Sequence, residues 1–448
     1  MLATPLPEIT PVEYEQRLYQ LRERMAQAEL DIIAVYSDEY HFENCLYLSG
    51  YRPRFEMALL VIDLETRPLL IVGLEGPTLA EMTAPHCEIS TYVPFSVQGM
   101  RDTLVGDLKS LLARRIKMPD PRIGVVGPRY FLGADFAAPD RQHAVPAFIV
   151  DALNHITAPD RVSNATALLT HLPTGMRTSK SATEIALLEE AGTRASWGVH
   201  AMLEAIRPGI SERDLLGEAE KAAPSALFSY APVIHSGIER CNAGLDSPGE
   251  RKISRGDPVV VYYSPSVSGY SGNSGRSALL IDRVEDLPAG LREPATTLYE
   301  GTYESYQALV EALGLGRPLS EVAAAGMSPL RRAGITPLYV PLHATGLSEW
   351  ENAFQEDAPS PNIESGYVFQ VDLTVLLAGF PYGPAKIEDG FAIADEALQE
   401  EIRQVAPLSW ARITERRAAM AELGFSLTPH VLPLSDIAGQ FTPFLLNP

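Results

Sequence analysis

The stretch YVFQVDLTVLLAG, starting at Tyr367, constrains the fold more than any other part of the chain. Period two puts Gln370, Asp372 and Thr374 on one face and Phe369, Val371 and Leu373 on the other. Such a strand needs apolar cover on one side and a polar space on the other, and a polar inner row often lines a site. KIEDGFAIA, from Lys386, reads as its partner strand, with Glu388 turned into the same space. Two acids brought together either raise the pKa of one of them, which suits a general acid or base, or they bind a cation. PVVVYYS from Pro258 and RSALLID from Arg276 are further strand-like runs, joined through the Gly/Ser-rich turn VSGYSGNSG.

Helices surround these runs. Ser181 and Glu184 form an S-x-x-E capping box ahead of Ile185, Leu188, Ala195, Val199, Met202 and Ile206. Pro208 and Gly209 end that helix, and Ser211 with Asp214 opens another. A third amphipathic helix is expected from about Leu291 to Leu313. The part of the chain after residue 165 is therefore expected to be α+β, a curved, mostly antiparallel sheet covered by helices. The first part differs. Leu18, Leu21, Met25 and Ala28 mark a helical stripe, and DIIAVY, ALLVIDL, RPLLIVG and RIGVVG follow as short β-rich runs. Strands alternating with helices predict an α/β domain with a partly parallel sheet. Pro159, Pro173 and Gly175 mark the change of character. The expected division is 1–165, 166–395, and a C-terminal extension, 396–448, packed on the second domain or at a dimer interface.

Composition narrows the function. The 448 residues carry 36 basic and 57 acidic side chains, a net charge of −21, which repels phosphate backbones and argues against nucleic-acid binding. No apolar run reaches the roughly 20 residues of a membrane span. The first residues show no secretory signal, and three scattered cysteines, Cys45, Cys87 and Cys241, are neither a disulfide framework nor a zinc set. A cytoplasmic protein is expected, with no membrane partner.

Several motifs occur in order: MRTSKSATEIALLEEA, IRPGISERDL, SRGDPVVVYY, GYSGNSGRS, HATG at His343, and the pair around Asp372 and Glu388. In this order and spacing the chain resembles the creatinase/prolidase superfamily, whose second domain has the pita-bread fold. The resemblance covers most of the chain to about Asp395. It implies a site at the family's five metal-ligand positions, which here are Tyr262, Asn273, His343, Asp372 and Glu388. The first two are Asp in the metallopeptidases of this fold. A phenol and a carboxamide in their place leave about two negative charges where two divalent ions need about four. The second substrate-binding His of many relatives falls on Trp350.

The expectation is therefore a metal-independent, creatinase-like hydrolase without cofactor, cleaving a C–N bond of an amidine, guanidine or amide. His343, Asp372, Glu388 and Tyr262 are the candidate catalytic groups. Creatinase's catalytic His has no counterpart at Gly244 or Leu245, and the nearest imidazole is His235. Asn273, His235 and Glu349 are candidate substrate-binding residues. Arg52 and Arg54 join them because in creatinase an Arg of the N-terminal loop holds the substrate carboxylate across the dimer. The alternatives are a mononuclear metal hydrolase or lyase using His343, Asp372 and Glu388, and a catalytically inactive binding protein. The expected partners are a small molecule, with a cationic one suited to the acidic chain, and a second copy in a homodimer.

Overall fold

A computed structural model of the chain describes residues 6–100, 107–134, 136–225, 227–241, 246–354 and 360–444. Contacts divide it into an N-terminal unit, Ile9–Thr178, and a C-terminal unit that begins at Ser179. Residues 166–178 stay with the N-terminal unit rather than opening the second. Tyr47 donates to the Met176 carbonyl at 3.0 Å, and Arg177 donates to Asn44 Oδ1 at 2.8 Å. The C-terminal extension belongs to the second unit. No helix among the described residues is long and apolar enough to cross a membrane.

The N-terminal unit is built on six strands: β1 (Ile32–Ser37), β2 (Ala58–Asp63), β3 (Leu69–Val72), β4 (Glu88–Thr91), β5 (Ile123–Val126) and β6 (Val162–Asn164). Their order is β4-β3-β2-β1-β5-β6, mixed in direction: β1/β5, β5/β6 and β3/β4 are parallel, and β1/β2 and β2/β3 antiparallel. The four β-rich runs read from the sequence became β1, β2, β3 and β5. The first helix spans Pro11–Gln27 and buries Arg17, Leu21 and Met25. Arg17 thus takes part in the stripe in place of Leu18, and Ala28 caps the helix in the open. An arginine is tolerated inside because its guanidinium lies 4.1 Å from the Tyr47 ring centroid and donates to the Tyr47 carbonyl at 2.9 Å.

The C-terminal unit holds β7 (Val233–Ser236), β8 (Pro258–Tyr263), β9 (Ser266–Val267), β10 (Tyr270–Ser271), β11 (Ser274–Leu279), β12 (Ile335–Pro337), β13 (Leu342–Ala344), β14 (Asn352–Ala353), β15 (Val368–Leu377), β16 (Ala385–Ile393) and β17 (Val431–Pro433). Apart from the small ribbon β9/β10, they form one sheet in the order β14-β13-β15-β16-β11-β8-β7, with β12 added to β15 and β17 to β16. Every ladder in it is antiparallel. The helix Ala182–Ala205 starts with the expected capping box: Ser181 Oγ accepts from Glu184 N–H at 3.2 Å, and Glu184 Oε2 accepts from Ser181 N–H at 3.0 Å. The helix Ala289–Ala312 covers β15 and β16 on the face of Asp389 and Phe391, where its Tyr306 packs.

Register decides what the opposite face carries. Asp372 lies opposite Glu388, Glu388 opposite Gly275, and Gly275 opposite Tyr262. One row over, Thr374 lies opposite Lys386, and His343 opposite Gln370. Directly opposed residues share a face. Both strands read as site-lining, β15 and β16, therefore deliver their polar side chains to one surface of one sheet, together with Tyr262 of β8 and His343 of β13.

Candidate active site

Antiparallel pairing of β15 with β16 brings the Asp372 and Glu388 carboxylates together, and a lysine lies between them. Lys386 Nζ is 2.7 Å from Asp372 Oδ1 and 2.8 Å from Glu388 Oε2, the second contact being an ion pair without hydrogen-bond geometry. The ammonium also donates to Thr374 Oγ1 at 3.2 Å and Tyr339 Oη at 3.4 Å, and stands 5.3 Å from the Tyr262 ring centroid. Room for this side chain comes from Gly275, where a Cβ would lie 2.3 Å from Lys386 Cε. The sequence reading turned Glu388 inward and passed over Lys386, although the same period of two puts both on one face.

His343 enters from β13. Its Nδ1 is 3.3 Å from the Ala344 carbonyl, which fixes the proton on Nδ1 and leaves Nε2 as an acceptor. Nε2 is fully buried, has no hydrogen-bond partner, and stands 3.8 Å from Glu349 Oε1 and 3.9 Å from Asp372 Oδ2. The Trp350 ring stacks on the imidazole at 3.9 Å with 14° between planes. Trp350 remains 39% exposed and meets Tyr339 edge-on at 5.8 Å, so the two rings wall the outer side of the imidazole.

Asn273, on the turn between β10 and β11, has its oxygen engaged. Oδ1 accepts from Ser264 Oγ at 2.7 Å and Ser271 Oγ at 2.8 Å, with the Tyr262 hydroxyl at 3.5 Å. Its Nδ2 is buried with no partner. Neither oxygen of Glu388 has a hydrogen bond either. Each buried polar group left without a partner costs roughly 1–3 kcal/mol.

The electrostatics follow from burial among like charges. Burial, then the Asp372 charge, pushes the Glu388 carboxyl well above its usual range, against the pull of Lys386. Burial and Asp372 also raise Glu349, to about 7. Burial opposes the charge on Lys386, but Asp372 and Glu388 outweigh it and hold the ammonium charged. Burial pushes the His343 imidazole down to about 4, only partly offset by Asp372. Burial, then Glu349 and Glu388, keeps the Tyr262 phenol protonated.

These donors do not fit a pair of divalent ions. Two close ions need anionic oxygens that bridge them. Tyr262 offers a protonated phenol, the oxygen of Asn273 already serves two hydroxyls, and both acids face an ammonium. Among the described residues, His343, Asp372 and Glu388 present ligand atoms within 4.8 Å of one another, a spacing suited to one ion, yet Lys386 already stands on two of the three.

Tyr262, Asn273, His343, Glu349, Asp372 and Glu388 thus come together, with Lys386, Tyr339, Thr374 and Trp350 added by the fold. Of the two acids after HATG, Glu349 faces the imidazole while Glu351 pairs with Lys180 at 2.9 Å, away from it. His235 is buried on β7 opposite Val260 and is not part of the acid–imidazole cluster. Arg52 and Arg54 lie in the N-terminal unit. Arg52 stacks 3.7 Å from the Phe42 ring centroid and leaves a buried Nη1 without a partner, and Arg54 is exposed. Gly244 and Leu245 lie outside the described residues, as does the side chain of Cys241.

Comparison with known proteins agrees with this fold. Residues 17–131 match the Creatinase/Prolidase N-terminal domain, and residues 186–395 match metallopeptidase family M24. The "Putative dipeptidase YkvY" of Bacillus subtilis (strain 168) is 24% identical over 219 residues, 48% of this chain, and the chain spans 57% of that relative's length. Among solved structures, the prolidase from Pyrococcus horikoshii OT3 aligns with a TM-score of 0.67 at 17% identity, over 85% of this chain and 95% of that one. The Xaa-Pro dipeptidase from Bacillus anthracis aligns with 0.67 at 19%, over 86% and 96%. The dipeptidase PepE from Mycobacterium ulcerans aligns with 0.67 at 20%, over 86% and 95%. The chain thus carries a Creatinase/Prolidase N-terminal domain followed by a metallopeptidase family M24 domain, in the two-domain pita-bread fold of the solved prolidases.

Proposed function

We propose that this chain is a hydrolase that cleaves a C–N bond of a small nitrogenous substrate, an amide, amidine or guanidine, without a divalent metal. The observation that carries this reading is the set of buried polar atoms with no hydrogen bond, His343 Nε2, Glu388 Oε1 and Asn273 Nδ2, around a lysine that pairs Glu388 Oε2. Each has a use in C–N hydrolysis. His343 Nε2 takes a proton from water as the water oxygen bonds to the substrate carbon. Charge that builds on the substrate meets Asn273 Nδ2–H and the Tyr262 hydroxyl, both preorganised by burial. The Glu388–Lys386 pair, 2.8 Å apart, gives a proton to the nitrogen as the C–N bond breaks, and the proton on His343 then returns to that pair. Glu349, with 17% of its side chain exposed beside His343 and Trp350, is suited to hold a cationic part of the substrate.

The 4.8 Å cluster of His343, Asp372 and Glu388 supports a second reading, a mononuclear metal enzyme, which requires Lys386 to leave both acids. The two separate in one experiment. The purified protein is screened against small amides, amidines and guanidines for release of amine or ammonia, before and after dialysis against a chelator. Turnover that survives chelation and is lost in Glu388→Gln supports the metal-free hydrolase. Turnover lost on chelation and restored by a divalent ion overturns it.

A further inference from the structure

We infer that Lys386 is a tethered stand-in for a divalent ion: its ammonium fills a cation site made by His343, Asp372 and Glu388 and so closes it to metals. The inference rests on the metal-free reading above and names the group responsible. Three independent features support it. The ammonium makes its two shortest contacts, 2.7 and 2.8 Å, with two of the three ligands rather than with a carboxylate outside the set. The remaining capacity of the ligand set is open: His343 Nε2 and Glu388 Oε1, on two residues of the cluster, are fully buried and have no hydrogen bond, as at an ion site whose occupant satisfies only part of it. Finally, the sheet is shaped around the lysine, since Gly275, directly opposite Glu388, is where any Cβ would strike Lys386 Cε.

An ordinary buried lysine needs one counter-charge. This one stands between two acids that antiparallel register forces to face each other. Without a cation they would repel in a medium where charges are poorly screened. The fold therefore demands a positive charge at this spot, and a divalent ion and a primary amine are two ways of supplying it. The amine is covalently held, cannot be chelated and needs no loading. Removing it leaves the demand unmet.

The test uses Lys386→Met, which keeps most of the side-chain volume, and Lys386→Ala, each compared with the wild type. Cobalt(II) is titrated into each protein and followed by visible absorption, by metal content after desalting and by the thermal unfolding midpoint. The wild type is expected to retain no cobalt. Each variant is expected to take up one ion per chain at least about 100-fold more tightly than the wild type, in line with the large effect of leaving buried charge unpaired. The unfolding midpoint of each variant should rise with cobalt concentration, and adding His343→Ala should weaken uptake. Variants that fold but ignore cobalt, or that stay unfolded with and without it, overturn the inference and leave the metal-free reading intact. A wild type that binds cobalt as tightly as the variants overturns both.

Discussion

Glu388 and Asp389 are neighbours on β16, and each is part of a fully buried charged cluster, one on either face of the sheet. The Asp389 cluster is closed. Arg276 Nη2 donates to both of its oxygens, at 3.0 and 2.8 Å, and Tyr306 donates at 2.7 Å. Nη2 also donates to the Ile437 carbonyl, while Nε serves that of Gln440 and Nη1 those of Gly275 and Glu388. The Glu388 cluster is open: its acid and its imidazole both keep buried atoms without hydrogen bonds. On both faces a fully buried carboxylate stands beside a cation. What differs is whether the polar atoms have been spent within the protein. A structural ion pair satisfies its own members, whereas a site holds some in reserve for a ligand, at a cost in stability.

The strongest way to break the comparison is to open the closed side. Arg276→Ala strips the partner from a buried carboxylate and is expected to cost about 3–5 kcal/mol in chemical denaturation, against little change in the substrate affinity of protein that remains folded. On the open side the effect should be catalytic. Glu388→Gln is expected to lower turnover about 10²–10⁴-fold while costing much less unfolding stability than Arg276→Ala, because Asp372 still pairs Lys386. If instead it unfolds the protein as Arg276→Ala does, the two faces are alike and the distinction fails.

A pH scan sharpens the contrast. His343 has a folded-state pKa of about 4, below the ordinary value of 6.5. The unfolded chain therefore binds its proton more readily, and the contribution to stability runs one way. Keeping His343 buried and neutral costs nothing above about pH 6.5 and costs progressively more as pH falls toward 4, reaching about 3 kcal/mol there. The wild type should lose that much more stability than His343→Gln between pH 7 and pH 4, measured by denaturant unfolding at each pH. Equal losses would mean the imidazole is not held neutral. The smallest contrast lies in two tyrosines. Tyr306→Phe removes a 2.7 Å bond to Asp389 and the acceptor of Gly439 N–H, and should cost about 1–3 kcal/mol. Tyr262→Phe, whose hydroxyl stands 3.5 Å from Asn273 Oδ1, should cost less than about 1 kcal/mol and show itself in turnover.

Much of this was legible in the sequence because it rests on local rules. Period two gave the faces of Gln370, Asp372, Thr374 and Glu388, and S-x-x-E gave the start of the helix at Ala182. Motif order brought His343 and Asn273 to the same place. Lys386 was equally visible to the period-two rule, two residues from Glu388, but a buried lysine runs against the ordinary cost of burying charge. What makes it tolerable is the register that sets Gly275 opposite Glu388, and that is a property of the folded sheet. Trp350 has the same history. Its distance from His343 along the chain gave its position, but the stacking needed the hairpin of β13 and β14 to close. The stretch from Ala158 to Gly175 read as a boundary because of Pro159, Pro173 and Gly175, which put residues 166–178 in the second domain. Residues 166–178 stay with the first unit through side-chain bonds from Tyr47 and Arg177 that no local pattern records. Arg17 entered the core of the first helix for a similar reason, since its partner Tyr47 comes from another helix.

The central claim is that an ammonium, rather than metal, neutralises the acids of this site. Its most direct measurement is a crystal structure of the wild-type protein soaked with cobalt(II), with anomalous data collected at the cobalt edge. The account predicts no anomalous peak between Asp372 and Glu388, and continuous density for Lys386 reaching both carboxylates. A full-occupancy peak beside His343 Nε2, with the lysine swung away, would contradict it.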